Sequence, residues 1–382
     1  MQSVYLDSAA TTQIRDVVID RMAEVMRNQF GNASSTHSYG RQSKSLIENA
    51  RKRIAAHFNV SASEIIFTSG GTEADNLVLR SAVRDLGVNE IISSKIEHHA
   101  VLHTIDEIKA EYDITVNYVE LDNRGHIDYK HLESLLKPPN KKLVSLMHIN
   151  NEIGNMLDLK RVAKLCKSYQ ALFHSDTVQS VGHFKLDLQE IPIDYLAASA
   201  HKFHGPKGVG FAFLRKGSGL IKSSIFGGAQ ERGLRAGTEC VHNIVGMDEA
   251  LQMSYHNLDE EKAYIQNLKN YFKEQLEVAL PGVHFNGSCA KDSESTYTLL
   301  NVCLPFPPEK NALLQFQLDL KGIACSKGSA CQSGSAKGSH VLAEILDQEK
   351  AKLPSVRFSF SSYNTKDEID YVVGILKEFG KN

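Results

Sequence analysis

The stretch IIFTSGGTEADNLVLRSAV, residues 65–83, begins as an apolar run, passes through Ser-Gly-Gly, and continues with apolar residues at helical spacing. It reads as a strand, a glycine turn and a helix whose first turn starts at Thr72. Glycines let a backbone approach an anion, and a helix amino end offers free N–H groups with partial positive charge, so Gly71 and Thr72 could cradle a phosphate. A plain turn is the commoner role of Gly-Gly before a helix. The stretch matches neither GxxxxGK[ST] nor GxGxxG, so ATP and NAD lose support.

The same alternation runs outward on both sides. Helical periodicity covers residues 15–29 and 38–58, where Leu46, Ile47, Ala50, Ile54 and Phe58 share a face. Strand-like runs follow at 64–68, 90–94, 114–120, 142–149, 171–174, 193–199 and 208–214, most of them separated by helical stretches. This pattern predicts an α/β domain on a mostly parallel seven-stranded sheet, with a ligand at the carboxyl ends of the strands. Beyond residue 256 come a polar helix (259–279), a strand at TYTLLNVC, a helix near 309–320, a Gly/Ser loop, a strand at SVRFSF and a closing helix. The expected division is a large domain over 13–255 and a small α+β domain formed by 1–12 and 256–382.

Composition narrows the function. The 382 residues, 42% hydrophobic and 23% charged, suit a globular protein, and 43 basic against 45 acidic residues leave no field to attract nucleic acid or an anionic membrane. A small-molecule substrate is expected. The start, MQSVYLDSAATT, lacks a basic region followed by an apolar one, and no run of about 18 apolar residues occurs. A cytoplasmic protein is therefore expected. Six cysteines scattered through so long a chain argue against a disulfide framework.

Four places carry side chains suited to catalysis. LAASAHKFHGPKGVGFAFL (196–214) sets Lys202 between an apolar strand and a glycine-rich turn. A lone lysine is usually a solvated charge, but a recessed one has a lowered pKa, and its free amine can attack a carbonyl to form a Schiff base. Asp176 ends another apolar strand. It reads either as a turn or cap carboxylate or, beside a pyridinium nitrogen, as the group that keeps the ring protonated. EHHAVLH (97–103) and His201/His204 raise the question of zinc, yet no HExxH, no CxxC and no third ligand at familiar spacing accompany them, so no metal is expected. His98, between a strand and a helix, is placed to stack on a planar cofactor or move a proton, unless it is an ordinary helix-start residue. Cys331, in SKGSACQSGSAKGSH (326–340), has almost nothing nearby that could pack around a thiol.

Read in order, YLDSAATT, FGNASSTH, FTSGGTEADN, EHHAVL, NNEIG, HSDTVQSVG, SAHKFHGPKGVGF, ERGLRAGT, GSACQSGS and SVRFSF resemble the cysteine desulfurases of the NifS/IscS type, from residue 4 to about 370. The resemblance implies the fold of type I pyridoxal phosphate enzymes, a homodimer, and L-cysteine as substrate. It implies Lys202 as the lysine that carries the cofactor, His98 stacked on the ring, Asp176 at the pyridine nitrogen and Gln179 at the phenolic oxygen. Gly71, Thr72, Ser199 and His201 would hold the phosphate, with Thr238 reaching across from the other subunit. Asn32, Asn151 and Arg357 would bind substrate, and Cys331 would be the catalytic thiol, leaving its sulfur to an iron-sulfur scaffold or a tRNA-thiolation protein. Ala336, Lys337 and Gly338 replace the family's usual Leu-Glu-Pro, and a more mobile loop is expected there. Rival readings are selenocysteine lysis or aminotransfer on the same cofactor, and a catalytically silent, cofactor-binding scaffold.

Overall fold

The computed structural model describes residues 3–328 and 338–381. Cys331 and the expected mobility of its loop therefore lie outside the described residues, apart from Gly338. A two-residue strand, β1 (Val4–Tyr5), precedes helices α1 (Asp16–Asn28) and α2 (Ser38–His57). Strands and helices then alternate as β2 (Ile65–Thr68), α3 (Gly71–Arg84), β3 (Glu90–Ser93), α4 (His99–Glu111), β4 (Thr115–Tyr118), α5 (Tyr129–Leu136), β5 (Lys142–Ser145), α6 (Leu159–Ser168), β6 (Leu172–Asp176), β7 (Tyr195–Ser199) and β8 (Gly210–Leu214). These seven strands form one sheet in the order β2-β8-β7-β6-β5-β3-β4, parallel except for β8, which runs antiparallel to both its neighbours.

Both faces of the sheet are covered. Ile92, Val144, Leu196 and Ala198 pack with α1, α2 and α7 (Val241–His256), whereas their sequence neighbours Ile91, Leu143 and Ala197 pack with α3 and α4. Side chains that alternate between two apolar layers explain why these strands read as continuous apolar runs. The run expected over 142–149 leaves the sheet after Ser145, and Met147 and Ile149 turn to line a cavity instead.

The remaining chain supplies α8 (Leu258–Ala279), β9 (His284–Phe285), β10 (Leu299–Cys303), α9 (Asn311–Leu320), β11 (Ile323–Ala324), α10 (His340–Ile345), β12 (Ser355–Ser359) and α11 (Lys366–Lys381). β12, β10 and β9 form an antiparallel sheet. Its apolar side packs with α8 and α11 around Phe272, Phe358 and Leu376, and Val4, Leu6 and Ala9 from the chain start join this core. β1 pairs with β11, and the chain then crosses toward β7, where Thr12 N donates to His201 O at 2.8 Å. Among the described residues no helix is long and apolar enough to cross a membrane.

One buried ion pair locks the ERGLRAGT segment to the large sheet. Glu231 has a left-handed backbone (φ +47°), which is uncommon for a residue with a side chain. Its carboxylate accepts from Arg51 Nη1 and Nη2 at 2.6 and 2.8 Å and from Phe67 N at 2.8 Å, so three donors fix it in place. Both side chains are at most 3% exposed. Removing one member of a buried pair leaves the other charge uncompensated. Glu231→Ala should therefore lower stability by about 3–5 kcal/mol in urea unfolding. A change below about 1 kcal/mol would show that the pair behaves as a surface contact.

Candidate active site

The carboxyl ends of β2, β3, β5, β6 and β7 open onto one cavity of about 450 Å³. Gly71 and Thr72 reach it from the start of α3, His98 from the start of α4, and Asn151 from the loop after β5. Asp176, Gln179, Ser199, His201 and Lys202 come from the ends of β6 and β7, and Arg357 from β12. Ten of the residues singled out in the sequence thus share one wall. Asn32 and Thr238 do not line it in the single chain. Asn32 is exposed, and its side chain accepts from Ser34 N at 2.9 Å; Thr238 is also exposed.

Lys202 is the centre of the site. It ends the single turn Ala200–Lys202 that follows β7, and its Nζ donates to Ala9 O at 2.6 Å and to Ala10 O at 2.7 Å. Gln179 Nε2 donates to the same Ala9 carbonyl at 2.9 Å. The chain start therefore passes directly across the lysine head. Asp176 accepts from Val178 N at 2.9 Å. Burial pushes its carboxyl above the ordinary range, although that bond and the charge of Lys202 pull it back.

Two further acids stand behind Asp176. Asp75, which lines the cavity, is held well above the usual carboxylate range by burial and by the charges of Asp176 and Glu97; burial does the same to Glu97. His174 Nε2 lies 3.3 Å from Asp75 Oδ1 without the alignment of a hydrogen bond. Burial drives the His174 imidazole down to about 3, so the ring that faces Asp75 is uncharged. Three acids crowded in a dry site cannot all ionise. A cation beside Asp176 is the natural way to keep that carboxylate charged.

Another part of the lining suits an anion. Gly70, the residue before α3, has φ +153°, a conformation that favours glycine. A Cβ at Gly71 would meet Val178 Cγ2 at 2.5 Å, so bare backbone is needed where the first turn of α3 faces the cavity. Ser199, His201 and Lys207 border the same space. Burial, with Lys202 and Lys207 alongside, pushes the His201 imidazole down to about 4.

Arg357 is 1% exposed. Its Nη2 pairs with Asp7 Oδ1 at 2.9 Å, its Nη1 donates to Asn151 O at 2.8 Å, and its buried Nε–H has no protein acceptor. A guanidinium with a spare donor at a cavity wall is suited to a carboxylate.

The class-V aminotransferase family matches residues 4–372. Over 381 residues the chain is 38% identical to the cysteine desulfurase IscS of Dictyoglomus turgidum, covering 98% of this chain and 94% of that relative. The chain belongs to the class-V aminotransferases, among the cysteine desulfurases of the IscS/NifS type. It is also 40% identical over 374 residues to a putative cysteine desulfurase IscS 1 of Bacillus subtilis, covering 97% of this chain and 96% of that one. The architecture is similar to that of a solved NifS-like protein (TM-score 0.90, 34% identity, 99% of each chain). It is also similar to a NifS-like protein from Rickettsia africae (TM-score 0.87, 31% identity, 100% of each chain).

Class-V aminotransferases imply pyridoxal phosphate, and the cavity fits it. Its lining combines a helix start with bare backbone suited to an anion, a lysine, and a buried carboxylate in need of a cation at the end of β6. Sequence reading missed Asp7, Asp75 and Glu97. Asp75 carries a usable signal, because an acid between Ala74 and Leu77 in a helix of buried apolar residues has no solvent to face.

His98 caps α4, its Nδ1 accepting from Ala100 N at 3.1 Å, which leaves the ring proton on Nε2. Burial, reinforced by the Lys202 charge, pushes the imidazole from 6.5 down to about 4. A histidine held neutral in the fold favours folding above pH 6.5, and that contribution is lost as the pH falls toward about 4. In NMR titrations assigned with His98→Asn, the ring should stay neutral until about pH 4. A midpoint at its ordinary 6.5 would contradict this environment. Asn retains a capping oxygen, so His98→Asn should cost only a few tenths of a kcal/mol, against about 1 kcal/mol for His98→Ala.

Proposed function

We propose that the chain is a pyridoxal-phosphate-dependent cysteine desulfurase that converts L-cysteine to L-alanine and collects the sulfur as a persulfide on Cys331. The observation that carries this reading is the convergence on one cavity of Lys202, Asp176 and Arg357, a base, a ring-nitrogen partner and a carboxylate receptor. Gly71, Thr72, Ser199 and His201 would hold the phosphate. Asp176 would hold the ring nitrogen's proton, Gln179 would meet the phenolic oxygen, and His98 would stack on the ring. When bound, pyridoxal phosphate supplies the sink for the electron pair left at the substrate Cα.

The chain's own groups do the rest. Arg357 and Asn151 hold the substrate carboxylate and so aim the Cα–H bond; Asn32 is assigned with them by resemblance. The Lys202 amine takes the Cα proton. The Cys331 thiolate attacks the substrate sulfur. A sulfur–sulfur bond forms as the carbon–sulfur bond breaks, the bonding pair stays with carbon, and protonation, with His98 as a candidate donor, gives alanine. Burial pushes the thiols of Cys289 and Cys325 up to about 11 and about 12, which makes these two poor nucleophiles.

We place the enzyme in the cytoplasm as a homodimer. Leu220 and Phe226 are 80% and 84% exposed, and Thr238 is exposed in the same stretch of chain, in keeping with a partner subunit that covers these side chains and receives Thr238. The persulfide would pass to an acceptor protein, an iron-sulfur scaffold or a tRNA-thiolation protein.

With cysteine and a thiol reductant, the enzyme should release equal amounts of alanine and sulfide. Cys331→Ser should abolish sulfide release while cysteine still perturbs the cofactor absorbance. Lys202→Ala should slow alanine formation about 10²–10⁴-fold. Sulfide release by Cys331→Ser at the parental rate would overturn the assignment of the thiol, and alanine release from selenocysteine alone would favour the lyase reading.

A further inference from the structure

Arg357 is a charged side chain almost wholly covered by protein, so its direction and its counter-ion are set by protein groups. The counter-ion is Asp7, from the stretch that leads out of β1. Asp7 Oδ1 accepts from Arg357 Nη2 at 2.9 Å and from Ser326 Oγ at 2.9 Å. All three residues are fixed through their backbones. Asp7 forms a parallel bridge with Ser359, while Ser326 N donates to Arg357 O at 3.2 Å and Arg357 N donates to Ser326 O at 2.6 Å.

We infer that Asp7 is a positioning residue for substrate recognition, holding the Arg357 guanidinium so that its remaining donors meet the carboxylate of an α-amino acid. Two points on the fork are already committed, Nη2 to Asp7 and Nη1 to the Asn151 carbonyl. A planar fork held at two points cannot swing, so the directions of its remaining N–H donors, the unpartnered Nε–H among them, are fixed. The charge-assisted bond to Asp7 is the stronger of the two constraints. Asp7 does not line the cavity, so it acts through Arg357 and not on the substrate. By sharing one oxygen with Ser326, Asp7 also ties the guanidinium to the backbone five residues before Cys331.

The inference rests on the reading of Arg357 as the carboxylate receptor, and the test separates the two. Holoenzyme is titrated with L-alanine and with L-alaninamide, which replaces the carboxylate by a neutral amide, and Kd is read from cofactor absorbance. Asp7→Ala should weaken alanine binding at least about tenfold while alaninamide binding moves less than about twofold. Asp7→Asn keeps an acceptor but loses the charge. It should give a smaller loss of alanine affinity, about threefold, and it carries the test if the alanine variant does not fold. Arg357→Ala is the control and should remove the preference for alanine over alaninamide. If Arg357→Ala removes that preference and neither Asp7 variant reduces it, the role of Asp7 is wrong and that of Arg357 stands. Equal weakening of both ligands by the Asp7 variants would mark Asp7 as merely structural and would overturn the inference. If Arg357→Ala leaves the preference intact, the carboxylate receptor itself is wrong and both fall.

Discussion

A half-buried ammonium at a cavity wall needs acceptors, and in this fold Lys202 finds them in the carbonyls of Ala9 and Ala10. Much of the architecture follows from that requirement. Those carbonyls belong to a stretch whose Leu6 and Ala9 pack in the core of the small sheet, while Thr12 binds the His201 carbonyl beside Lys202. The start of the chain therefore runs from one hydrophobic core to the other across the mouth of the cavity. In doing so it presents Asp7 to Arg357 and Ala9 to both Gln179 and Lys202.

The cavity lining brings buried acids and anion-suited groups together. Asp176, Asp75 and Glu97 crowd around the end of β6, where burial and mutual repulsion hold carboxyls above their ordinary range. The start of α3 and Lys207 border the same cavity. Asp176 would suit the basic ring nitrogen of a planar cofactor, and the start of α3 its phosphate. Neutral His98 and His201 add hydrogen-bonding groups without adding charge.

Much of this could be read from the sequence because it depends on local pattern. Apolar runs gave the strands within a few residues, since both faces of the sheet are buried and period-two polarity is absent. Gly71, Lys202 and Asp176 stood out as chemistry-bearing residues at strand ends, which is where a parallel sheet places its ligand. What escaped were residues whose role depends on distant pairing. Asp7 meets Arg357 across 350 positions, and Glu231 meets Arg51 across 180. Neither separation leaves a periodic trace. The end of β5 was also read too long, because apolar residues that turn from a sheet to line a cavity look the same as a continuing strand.

If the proposed function holds, Lys202 is the group on which cofactor and substrate chemistry converge. Its most direct test is borohydride reduction of the cofactor-loaded enzyme, followed by proteolysis and mass mapping of the covalently fixed cofactor. A single modified peptide carrying the reduced cofactor on Lys202 is expected. Attachment at Lys207, which borders the same cavity, or attachment at no lysine, would contradict it.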